Sequence, residues 1–137
     1  MPSALPPLGE GQAADSAVQA ALERAWPADL PAADARDLVA EGRALLRADA
    51  TGAGRDRWPA YFTAGGRSPG LAPAFSRFRI QAVIARKDPT GPGRAVVHAV
   101  WAAADRGGTY TDGRLTDLHF VHITTKGHVR WIPRPQE

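Results

Sequence analysis

The sequence predicts one α+β domain, with N-terminal helices packed on a curved four-stranded antiparallel meander built from the second half of the chain. Three observations carry this. Apolar residues recur at helical spacing up to about residue 62 and at strand spacing after about residue 75. Short Gly-, Pro- and Asp-rich segments separate the strands, so neighbours in sequence pair as neighbours in space. Helices grouped apart from antiparallel strands form an α+β layer fold.

Each element has a local reason. Residues 1–12 are rich in Pro, Gly and small residues and read as a disordered tail, leaving residues 13–133 as the domain and 134–137 as a second tail. Asp15 or Ser16 can cap a helix reaching Trp26, with Val18, Ala21, Leu22, Ala25 and Trp26 on its apolar stripe and Pro27 as its stop. A second helix starts near Pro31 and carries Leu38, Val39, Leu45 and Leu46 at helical spacing, a stripe that Ala35 and Gly42 extend. Thr51-Gly52-Ala53-Gly54 ends it. Trp58, Tyr61 and Phe62 fall on a short third helix, and Ala64–Gly70 reads as a loop.

Strand periodicity then takes over. From Phe75 to Lys87, Phe78, Ile80, Ala82 and Ile84 alternate with Arg77, Arg79 and Gln81, which predicts one apolar and one polar face. Asp88–Gly93 is a turn that no strand could continue through. The expected second strand is Arg94–Ala104, the third Leu115–Thr124 and the fourth His128–Ile132. Gly107-Gly108, Asp112-Gly113 and Lys126-Gly127 supply the turns between them.

The absence of cysteine excludes disulfides, a thiol nucleophile and thiolate zinc sites. Hydrophobic residues at 44% and charged residues at 23% place the chain among globular domains rather than disordered ones. No apolar run has the roughly 18 residues of a membrane helix, and the first residues lack the pattern of a signal peptide, so a cytoplasmic location is expected. The net charge of +3 comes almost wholly from arginine, the only lysines being Lys87 and Lys126. Those arginines are dispersed among Ala, Gly and Pro, the composition of a high-GC bacterial genome, and this weighs against nucleic acid as a partner.

Asp117 and His119 stand two apart on the third strand and share a face, the spacing at which a carboxylate can orient an imidazole for acid–base work. A solvated outer face explains the same residues. His98, between Val96 and Val100, is a further candidate acid or base, whereas His122 falls on the opposite face with Leu118 and Phe120. No metal-binding spacing is present and no cofactor is expected. Trp58, Tyr61, Trp101 and Tyr110 could line an apolar ligand pocket or simply form core. Arg77 and Arg79, on one strand face, could hold an anion or meet solvent.

The Trp58–Phe62 aromatic helix, the strand Ala95–Ala104 with Trp101, the segment Gly108-Thr109-Tyr110 leading into Leu115–Ile123, and the closing Val129-Arg130-Trp131-Ile132-Pro133 resemble the NTF2-like superfamily over about residues 14–133. The resemblance implies a cone in which the sheet wraps a helix around a pocket; a cystatin-like fold is the runner-up. Members include cyclases, dehydratases and isomerases that place an Asp–His pair in the pocket, and non-catalytic domains of conjugation and secretion proteins. The early hairpin that many enzyme members carry between their helices is missing here. The expectation is therefore a non-catalytic binding or assembly domain that forms a homodimer through its open sheet face. The alternative is an enzyme using Asp117 with His119, or His98, on a small apolar substrate.

Overall fold

The computed structural model describes residues 12–64 and 75–134. The N-terminal tail, nearly all of the Gly-rich loop after Ala64, and residues 135–137 lie outside the described residues. The helices are α1 (Gln12–Ala25), α2 (Ala32–Thr51) and α3 (Pro59–Ala64), with a 3₁₀ turn at Arg55–Arg57. The strands are β1 (Ser76–Lys87), β2 (Arg94–Ala104), β3 (Tyr110–Thr125) and β4 (His128–Pro133). They form one antiparallel sheet in the order β1-β2-β3-β4, so the fold is the α+β meander that the alternation predicts.

Pro31 stands as the N-cap immediately before α2, and Gly52 caps its C-terminus at φ 85°, where a side chain would be strained. The Gly52 N–H donates to the Ala48 carbonyl and closes the last turn. α1 starts at Gln12, earlier than an Asp15 or Ser16 cap would allow, and Asp15 lies in its first turn.

The two long helices take opposite faces of the sheet. Leu38, Leu45 and Leu46 of α2 pack with Phe62, Val97, Leu118 and Phe120 in the main core. Gly42 lets α2 approach the sheet, because a Cβ there would stand 2.7 Å from Val97 Cγ1. Val18 and Leu22 of α1 form a second, smaller cluster with Ala82, Ile84 and Val100 on the other face, called here the outer face.

Two expectations fail at β-bulges. The strict alternation of β1 breaks where the register with β2 shifts between Ile80 and Ala82. An extra residue in one strand reverses which face the following side chains take. Phe78 and Ile80 therefore pack on the main core, while Ala82 and Ile84 face α1. Gln81, expected on a polar face, is buried, and its Oε1 accepts a hydrogen bond from the Gly113 N–H at 2.8 Å. Asp112-Gly113 is not a turn. β3 runs through it from Tyr110, with Gly113 at φ 71° beside a register shift between Trp101 and Ala103 of β2. Glycine suits a bulge for the same reason that it suits a hairpin turn, so composition does not separate the two.

Candidate functional site

The outer face of β2 and β3 gathers the histidines and carboxylates. Register places His98 directly opposite Asp117, and His98 Nδ1 lies 2.7 Å from Asp117 Oδ1. A carboxylate only accepts, so Nδ1 donates and the neutral ring keeps its lone pair on Nε2. Trp26, just past the end of α1, stacks on the His98 ring with centroids 4.0 Å apart and planes 26° apart. The His98 side chain is thereby left only 13% exposed, whereas that of Asp117 is 53% exposed.

Asp117 and His119 share the outer face, as their spacing predicts, but they do not pair with each other. Directly opposed residues on paired antiparallel strands lie closer than residues two apart on one strand, so Asp117 turns to His98, while His119, opposite the apolar Val96, turns to the carboxylate beyond the end of β1. His119 Nδ1 lies 3.4 Å from Asp88 Oδ2. Asp88 is buried at the end of β1, and its Oδ1 accepts from both the Thr90 N–H and the Thr90 hydroxyl. Those Thr90 hydrogen bonds, with a smaller contribution from His119, hold the Asp88 carboxyl below the usual carboxylate range despite its burial.

His122 lies on the α2 face, where its ring meets Trp131 at 4.6 Å. Among the described residues no group of three or more His, Asp or Glu side chains could hold a metal ion. The four aromatic residues named as a pocket lining divide between the two faces. Trp58 packs at the margin of the main core, Tyr61 lies within it against Phe62, and Trp101 is buried there with its Nε1–H donating to Thr116 Oγ1 at 2.9 Å. Tyr110 lies across the sheet from Trp101, its hydroxyl accepting from Arg79. Arg79 is engaged by Asp15 through two hydrogen bonds, at 2.9 and 3.1 Å, which hold its guanidinium further toward the charged form. Arg77 covers the Tyr110 ring, so the two arginines do not form an open anion cradle.

Trp26 and Asp88 are the participants that sequence reasoning passed over. Asp88-Pro89-Thr90 has the pattern of an Asx turn and could have marked Asp88 as a structural anchor. Nothing local marks Trp26 as the lid of a histidine on a strand more than seventy residues away.

Comparison of the chain with protein-family models, with curated proteins and with solved structures finds no match. Among the described residues no helix is long and apolar enough to cross a membrane.

Proposed function

We propose that this chain is a non-catalytic binding or assembly domain of NTF2-like type, acting as a homodimer through the outer face of β3 and β4. The carrying observation is the apolar surface there. Ile123 is 39% exposed, with Val121 and its cross-strand neighbour Ile132 half-buried beside it, and Leu115, eight residues back on the same face beyond Asp117 and His119, is 72% exposed. The α1 cluster reaches only β1 and β2. Large apolar side chains left open at both ends of an uncovered sheet face, with Asp117 and His119 between them, support an interaction surface of mixed character.

Charge favours a second copy as the occupant. Asp117 precedes Ile123 by six residues, and Arg130 is the cross-strand neighbour of Ile123. Antiparallel face-to-face packing centred on Phe120 sets Asp117 of one protomer level with Arg130 of the other, and symmetry repeats the pair. The succession of helices and a meander supports the NTF2-like reading, and an accessory role of conjugation or secretion type in a high-GC bacterium fits its non-catalytic branch. Light scattering tests the proposal: the mass should double with concentration, and Leu115→Asp with Ile123→Asp should hold it at one chain while melting like the parent at dilutions where the parent is itself one chain. A parent that stays monomeric at high concentration overturns it.

The 2.7 Å contact of His98 with Asp117 favours one second reading, an acid–base enzyme acting at His98 Nε2. In that case a turnover found by substrate screening would fall steeply in Asp117→Asn, whose side-chain amide no longer enforces the same tautomer. Unchanged turnover would remove this reading.

A further inference from the structure

A cavity of about 390 Å³ opens between the first turn of α2, the β1–β2 turn and β4. Its volume is within the range of small-molecule sites. It is separate from the outer face, since His122 and Trp131 belong to the α2 side of the sheet. Its walls combine an apolar surface from Leu30, Pro31 and Pro92 with the polar side chains of Lys87, Arg94 and His122.

The charges around it are unequal in availability. Lys87 and Arg94 form no ion pair among the described residues. The Arg94 side chain lies along the turn, since a Cβ on Gly91 would stand 3.7 Å from Arg94 Cδ. Both carboxylates at the cavity are charged counterparts of these cations, but Asp88 is buried with its oxygens engaged by Thr90 and His119, so Asp34 is the carboxylate placed to compete with a ligand for Lys87 and Arg94. Trp131 forms part of the wall, and its Nε1–H is buried with no acceptor among the described residues. That N–H is closed off from the cavity, so Trp131 offers the cavity its ring rather than a donor, and its indole signal senses what comes to lie against the ring.

We propose that this cavity binds a small organic carboxylate. The anionic head pairs with Lys87 and Arg94, and the apolar body lies against Leu30, Pro31, Pro92 and the Trp131 ring. Arginine and lysine together supply directional and point-charge recognition of a carboxylate, and the apolar wall supplies contact for its body. The proposal does not depend on the outer-face dimer and stands if that reading fails.

The test is a titration of the full chain with benzoate and with hexanoate, each compared with its uncharged amide. The readout is the Trp131 indole N–H signal in a nitrogen–proton correlation spectrum, assigned by its loss in Trp131→Phe. At least one acid should shift that signal saturably while its amide does not. Lys87→Ala combined with Arg94→Ala should weaken binding by about tenfold or more. Asp34→Asn should bind as tightly as the parent or more tightly. No saturable shift with either acid, equal binding of the amides, or a double variant that binds like the parent overturns the proposal.

Discussion

Gln19 of α1 holds both backbone groups of Val83 on β1: its Nε2 donates to the Val83 carbonyl at 3.0 Å, and the Val83 N–H donates to its Oε1 at 2.8 Å. A side-chain amide thus takes the place of a neighbouring strand on the edge of the sheet. Asp15–Arg79 on one side and the Asp29 contact with the Lys87 N–H on the other continue the same attachment. Open strand edges invite pairing with other chains, and covering one with a helix prevents it. Gln19→Leu leaves both Val83 groups unpaired and should destabilise the domain by about 1–3 kcal/mol. Urea unfolding measures that loss. The variant should also aggregate faster than the parent at equal unfolded fraction, and unchanged stability would mean that water replaces the amide without cost.

Trp101 and Trp131 make a paired prediction. The Trp101 Nε1–H has an acceptor in Thr116, whereas the buried Trp131 Nε1–H has none among the described residues. Trp101→Phe loses a hydrogen bond and should cost about 1 kcal/mol beyond the lost volume. Trp131→Phe removes an unsatisfied donor and should be close to neutral. Trp131→Ala gives up a ring packed against the main core and should cost about 3 kcal/mol, the lower end for a large aromatic, because Trp131 is half-buried. Thermal melts of the three variants separate packing from hydrogen bonding.

Gly42→Ala tests the approach of α2 to β2. In an exposed helix interior the change would stabilise by about 1 kcal/mol. Here the new methyl meets Val97 Cγ1 at 2.7 Å, and Val97 is fully buried with no room to turn away. Overpacking of this kind costs about 1–3 kcal/mol, so the melting temperature should fall. A rise would mean that the helix shifts outward freely.

Acid sensitivity should depend on Asp88. Its folded-state carboxyl titrates below the unfolded value because Thr90 and His119 stabilise the charged form. A group depressed in this direction adds stability that is fully present above the unfolded pKa of about 4 and is lost as the pH falls through the folded value. Asp88→Asn should lower stability at pH 7 and flatten the decline below about pH 4. Equal slopes for parent and variant in that acid range would show that other groups govern the decline.

The shared face of Asp117 and His119, and the placement of His122 across the sheet, are legible from period-two alternation within one uninterrupted stretch of β3. The partners are not. His98 meets Asp117 because of strand register, and Trp26 covers His98 because α1 crosses to the outer face, a choice made by packing over a long sequence separation.

By itself, the sequence determined the order of elements, the antiparallel meander, the ends of β2 and the leucines of α2 that enter the core, though not Ala48 and Ala50 beside them. Each of these follows from local chemistry: helical or alternating apolar spacing, proline stops and glycine turns. Only the tertiary structure decided that α1 and α2 take opposite faces, that the alternation of β1 reverses at Gln81, and that Gly113 bends a strand instead of ending it. A bulge costs one backbone pairing and is compensated by contacts such as Gln81 with Gly113, which lie 32 residues apart and leave no trace in local pattern. The same holds for the cavity beside Trp131. Its walls come from the start of α2, a turn and the last strand, and they become a site only once the sheet brings those segments together.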